Sequence, residues 1–155
     1  MTREELIGKI AKAIAEKEGF FVSEAQARAR GANWPTRAQR NANPGNIRAW
    51  KDATGSPYPT NGGYVDFVAF AREKHPNADG EELRRLALEE GWRVLGVLVG
   101  RYLSGKYHGG RSPSLLEMFS VYSPASDNND PIRYARFVAE KVGVPADKPL
   151  CEVVQ

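Results

Sequence analysis

The sequence predicts a mainly α-helical single domain over residues 1–155, with one long irregular segment and a small β-hairpin. Three observations carry that expectation. Apolar residues recur at helical spacing in several stretches bounded by cap and proline signals. Residues 22–63 are rich in Gly, Pro, Asn and Arg and show little periodicity. One short run, 62–70, has the aromatic and β-branched content of a strand. At 155 residues the chain is one domain's worth, long enough to bury a core without a disulfide or a metal.

The first helix is expected over about residues 3 to 18. Thr2 and Glu5 open it as a Thr-x-x-Glu capping box, Leu6, Ile10, Ala13 and Ile14 give its apolar stripe, and Gly19 closes it. "GGYVDFVAF" at 62–70 is the expected strand, paired with Ile47 to Trp50 as a hairpin. Asp79 and Glu82 form a second capping box before a helical stretch to about Leu103, with Gly91 marking a point where two helices could meet. Ser112 is the expected cap of "SPSLLEMFSVY", with Pro113 in its first turn. Asp130-Pro131 starts the last helix and Gly143 ends it.

Composition narrows the function classes. A hydrophobic content of 41% with 26% charged residues is that of a globular protein, not a disordered one. The N-terminal residues are charged throughout and lack the apolar core of a signal peptide, and no run approaches a membrane span. Cys151 is alone, so no disulfide framework is expected. His75 and His108 lack partners at metal-ligand spacing, and phosphate-loop and Gly-x-Ser-x-Gly patterns are missing, so no metal or cofactor is expected. The net charge is +3, and from Ala25 to Lys51 six Arg or Lys residues occur with no Asp or Glu. Two readings of that segment stay open: a solvated surface loop, or a surface that attracts a polyanion.

The remaining chemistry rests on carboxylates, amides and tyrosines. "RNANPGNIR" at 40–48 surrounds a Pro-Gly turn with Asn41, Asn43 and Asn46 and flanks it with Arg40 and Arg48, more polar groups than a turn requires. On a helical wheel starting at Leu6, the apolar stripe centres near about 60° and Glu18 lies near about 120°, on its edge, whereas Glu16 falls near about 280° and should be solvated. A carboxyl group at a helix C-terminus beside the rings of Phe20 and Phe21 is in the setting of a general acid. Lys17 falls on the same side, so a frayed helix-end residue is the alternative.

"AEKEGFF", "RNANPGNIR", "FVAF", "EGWRVL", "RYLSGK" and "SLLEMFSVYSPASDNNDPIRYARFVAEKVGV", in that order, resemble a phage-associated lytic transglycosylase family with a lysozyme-like fold. The resemblance covers nearly the whole chain. It implies cleavage of peptidoglycan glycan strands at the β-1,4 bond after N-acetylmuramic acid, without metal or cofactor, leaving 1,6-anhydro ends. The catalytic acid carries over to Glu18, and the cleft positions to Asn43, Asn46, Arg48, Tyr122, Ser123, Asn129 and Tyr134. Structural alternatives stand beside these: Asn43 as a turn cap, Arg48 as the partner of an acid, Tyr122 as a core aromatic. The implied setting is a phage virion or its host, acting on the cell-wall side, with tail components as possible partners.

Two features depart from the family pattern. Ala42 stands where a third Asn is usual, and "EKHPNADGEELRRLALE" reads as an insertion that creates a second Glu-Gly-aromatic, Glu90-Gly91-Trp92. Glu90 follows an acidic run and is expected to be solvated, which favours Glu18. Two other functions remain: a hydrolytic muramidase, for which Asp52 and Asp66 are the nearest second acids, and a non-catalytic module binding nucleic acid through Arg28 to Lys51.

Overall fold

The computed structural model describes all 155 residues. It is mainly helical, with seven α-helices and one two-stranded antiparallel sheet. The single domain expected from the sequence divides into two compact units, Met1–Lys17 with Gly96–Gln155, and Glu18–Leu95. No helix is long and apolar enough to cross a membrane.

The first unit is helical. Helix α1, Arg3–Lys17, starts where Thr2 Oγ1 accepts the amide of Glu5, one half of the expected capping box. Its stripe of Leu6, Ile10 and Ile14 is fully buried. Each such side chain contributes roughly 1.5–3 kcal/mol of transfer free energy. Glu16, expected in solvent, lies 3.5 Å from Lys141 and is only 31% exposed. The next helix of this unit, Leu115–Tyr122, is capped by Ser114 in a full capping box with Glu117. Ser112, the cap expected from sequence, accepts the amide of Cys151 through Oγ at 3.0 Å. The last helix, Pro131–Val142, has Asp130 at its N-cap and Gly143 at its C-cap with φ 83°, as read from the sequence. It packs against both α1 and the Leu115–Tyr122 helix.

The second unit holds most of the stretch expected to be irregular, and part of that stretch is helical. Helices α2, Glu24–Ala29, and α3, Arg37–Arg40, each begin with a complete capping box, Ser23 with Gln26 and Thr36 with Gln39. Their shortness hides them, since six and four residues cannot display an apolar period. The hairpin is also displaced from its expected place. Strands β1, Thr60–Asn61, and β2, Tyr64–Val65, pair with each other across Gly62 and Gly63, both at positive φ. That is the two-residue turn whose twist suits a hairpin. Ile47 contributes one bond, accepting the amide of Val65 at 2.8 Å. Phe67 onward is helix α4, Phe67–Lys74, because Asp66 Oδ1 accepts the amides of Val68 and Ala69 and starts a helical turn.

Helix α5, Gly80–Leu103, is unbroken, and its residues through Leu95 belong to this second unit. Gly91 does not divide it. A Cβ there would collide with the carbonyl oxygen of Ala42 and lie 3.0 Å from Pro44 Cδ. The glycine is the gap into which the 42–44 loop fits. With those two helices placed, Leu115–Tyr122 is α6 and Pro131–Val142 is α7.

Candidate functional site

The loop after α3 is fixed by amides, and each amide has a different job. Asn43 is fully buried. Its Nδ2 donates to the carbonyls of Ile47 at 2.9 Å and Val65 at 3.1 Å, and its Oδ1 accepts the amide of Ile47 at 2.9 Å. No group of Asn43 is left for a ligand, so its expected place on a cleft wall is corrected to that of an internal brace. Asn41 is also buried, and its carbonyl accepts the amide of Phe67 at 2.9 Å. Ala42 is buried with φ 49°, a left-handed conformation in which Asn or Gly is more comfortable than Ala.

Asn46 is the amide that reaches a carboxylate. Its own φ is 50°, and its backbone amide donates to the carbonyl of Asn43 at 3.0 Å. Its Nδ2 then donates to Glu18 Oε1 at 3.4 Å. Its Oδ1 is buried and has no hydrogen-bond partner. An acceptor left unmet in the interior costs on the order of 1–3 kcal/mol.

Glu18 follows α1 directly and is half-buried. The chain after it is pinned by groups that sequence reasoning missed. Gly19 has φ 80°, Thr36 Oγ1 donates to its carbonyl at 3.0 Å, and Gln39 Nε2 donates to the carbonyls of Phe20 and Val22 at 3.0 and 2.7 Å. Thus the capping box of α3 also holds the turn beyond Glu18. Trp92 completes an aromatic cluster there, edge-on to Phe20 at 5.6 Å and stacked on Phe21 at 6.2 Å. The Thr-x-x-Gln spacing at 36–39 was an available signal for the α3 cap, though not for its bonds to the turn after Glu18.

Glu90, the rival carboxylate, is not solvated as expected. Its side chain is 17% exposed, bound to Arg93 at 2.6 and 3.1 Å, and accepts the hydroxyl of Tyr58. Burial pushes its carboxyl upward, but the bonds from Arg93 and Tyr58 outweigh this and hold it below the usual glutamate value. Burial and the adjacent carboxylate push the Tyr58 hydroxyl up to about 12. A carboxylate kept ionised in this way is poorly suited to deliver a proton at neutral pH.

Arg48 is exposed, its guanidinium 5.6 Å from the centre of the Tyr64 ring, with Arg37 closer at 4.1 Å on the same ring. Elsewhere in the basic segment Arg28 pairs with Glu24 at 2.6 Å and Arg40 donates to the carbonyl of Pro35. Asp52 is held by Thr54 and Ser56, whose bonds lower its carboxyl, and Asp66 is the α4 cap. No cluster of three or more His, Cys, Asp or Glu side chains is placed to hold a metal ion.

The other expected cleft residues belong to the first unit. Tyr134 is buried and stacks on Phe119 at 4.4 Å, while Tyr122, half-buried, packs against Phe119 at 5.5 Å and Tyr102 at 6.1 Å. Ser123 is buried as the C-cap of α6. Asn129 is exposed and donates to the carbonyl of Pro124 at 3.4 Å. The structure therefore groups Glu18, Asn43, Asn46 and Arg48 in one unit and the Tyr122 to Tyr134 set in the other. Comparison with protein-family models, with curated proteins and with solved structures finds no match to this chain.

Proposed function

We propose that the chain is a peptidoglycan lytic transglycosylase with Glu18 as its general acid and base. The observation that carries this reading is the contact between Glu18 and Asn46, the carboxylate and the amide that the motifs single out. Glu18 is half-buried, accepts a hydrogen bond from Asn46 and is followed by a pinned aromatic turn, and the rival Glu90 is held below the usual glutamate value by Arg93 and Tyr58. The sequence resemblance supplies the substrate, a glycan strand of alternating N-acetylmuramic acid and N-acetylglucosamine.

In this chemistry protonated Glu18 gives its proton to the glycosidic oxygen as the bond to C1 of the muramyl residue breaks. The resulting carboxylate then takes the proton of the muramyl 6-hydroxyl as that oxygen bonds to C1. The product is a 1,6-anhydro end, and Glu18 finishes protonated. The substrate's own hydroxyl replaces the second carboxylate or the water of ordinary glycosidases. That fits the state of Asp52 and Asp66, the second acids a hydrolase would call on, since both side chains are engaged in holding turns.

Mass spectrometry of purified peptidoglycan digested with the protein tests the reading. Anhydro-ended fragments are expected, and Glu18→Gln should lower their release by at least ~100-fold with the fold intact, the scale of a lost general acid. Glu90→Gln should remain active. Reducing ends would make the protein a hydrolase. Intact peptidoglycan together with salt-sensitive binding of nucleic acid would assign the basic segment a different role.

A further inference from the structure

We propose that Arg37, seated on the ring of Tyr64, is a carboxylate-binding residue, and that the carboxylate it takes is carried by the muramyl residues of the glycan strand, on the lactyl group or on the peptide attached to it. The inference rests on the proposed function and adds to it a preference for charged strands over neutral ones.

The ring fixes the place. Tyr64 belongs to β2, where its backbone pairs with Asn61 across the Gly62-Gly63 turn, and its side chain is half-buried. The guanidinium carbon of Arg37 lies 4.1 Å from the ring centre, a distance at which a cation is drawn to an aromatic face. The guanidinium of Arg48 lies 5.6 Å from the same centre, and Arg48 is two residues beyond Asn46, the amide that touches Glu18. Tyr64 therefore sets Arg37 beside the loop of the candidate site, and all of these residues belong to the second unit.

The Arg37 guanidinium is uncommitted. It is exposed, it has no ion pair, and none of its N–H donors is taken by an acceptor of the chain. Neighbouring arginines are used up: Arg28 pairs with Glu24, Arg40 donates to the carbonyl of Pro35, and Arg84 donates to that of Gln39. No Asp or Glu occurs from Ala25 to Lys51 to neutralise Arg37 from within its own segment. A guanidinium resting on a ring has already given up part of its side-chain freedom, so less is lost when it binds. Its planar fork of donors matches the two oxygens of a carboxylate.

Charge selects the ligand. The amino-sugar backbone of the strand is neutral, and the carboxylates are on its muramyl substituents. Binding at an exposed arginine is worth most at low ionic strength and is screened by salt.

Affinity measured in a Glu18→Gln background, where strands stay uncut, tests the proposal. The probes are a tetrasaccharide of alternating N-acetylglucosamine and N-acetylmuramic acid with free lactyl carboxylates, the same tetrasaccharide bearing its peptides, and neutral chitotetraose. At ~20 mM salt Arg37→Gln is expected to weaken a muramyl probe by ~5-fold and to leave chitotetraose unchanged, and the difference should vanish near ~0.5 M salt. Loss confined to the peptide-free probe identifies the lactyl carboxylate, and loss confined to the peptide-bearing probe identifies the peptide. Arg37→Lys, which keeps the charge and removes the fork, should recover only part of the affinity. Tyr64→Leu should weaken the muramyl probe in the parent but not in Arg37→Gln, because the ring acts through the guanidinium. Equal loss of charged and neutral probes, or none, overturns the proposal. So does an Arg37-dependent affinity for a single-stranded oligonucleotide that exceeds that for every glycan. Failure of the wild-type protein to release fragments from peptidoglycan removes the functional reading and this inference with it, whereas an active wild type with an indifferent Arg37 removes the inference alone.

Discussion

The loop at Asn41–Ile47 and the loop at Ser123–Asn129 look alike in the sequence, since both are rich in Asn and contain a proline, yet they are built on opposite principles. In the first, Asn41 and Asn43 are buried, the side-chain amide of Asn43 bonds to backbone groups of Ile47 and Val65, and the backbone carbonyl of Asn41 accepts the amide of Phe67. In the second, residues from Ala125 to Asn129 are exposed, and Asn129 reaches only the carbonyl of Pro124. The residues found at positive φ make the same point: Asn128, at 62°, is a residue that tolerates the left-handed region, whereas Ala42, at 49°, is forced there by its surroundings. An amide therefore carries structural meaning according to whether its partners are out of reach of water. Composition alone does not distinguish a brace from a surface loop.

The largest effect expected from this contrast is that of Asn43→Ala. It leaves the amide of Ile47 and the carbonyl of Val65 without the Asn43 side chain in the interior, while the Ile47 carbonyl keeps the amide of Val65, and should destabilise the protein by about 3 kcal/mol in chemical denaturation. Loss of under about 1 kcal/mol would show that water reaches the loop and would erase the distinction. Ala42→Gly should act in the opposite direction. It relieves the left-handed strain, offset in part by the lost methyl group, and is expected to raise stability by up to about 1 kcal/mol, visible as a higher midpoint with an unchanged slope. Asn129→Ala is the small effect, within about 0.5 kcal/mol by the same measurement, because solvent replaces its one weak bond. A larger cost there would mean that the second loop is braced as the first is.

What was legible in the sequence was what local physics decides. The ends of α7 follow from Asp130-Pro131 and Gly143, and the buried stripe of α1 follows from the spacing of Leu6, Ile10 and Ile14. The misplaced hairpin came from Phe67, Val68 and Phe70, whose strand-like side chains are overruled by the capping carboxylate of Asp66. The burial of Asn43 had no local signal, because one of its partners, Val65, lies far along the chain. In the candidate site, the order of motifs singled out Glu18 and Asn46, which the structure places in contact. The support from Thr36, Gln39 and Trp92 is tertiary and could not be read from spacing alone.

Gly91 also constrains how the chain can change over time. Because the carbonyl of Ala42 occupies the space that any side chain at position 91 would need, and Pro44 lies beside it, positions 42–44 and 91 form one unit of inheritance despite their separation in sequence. A lineage that acquires a side chain at 91 must reroute the loop that carries Asn43 and Asn46 in the same step, and with it the amide that touches Glu18. Drift in the middle of α5 is therefore restrained by the loop that packs against it.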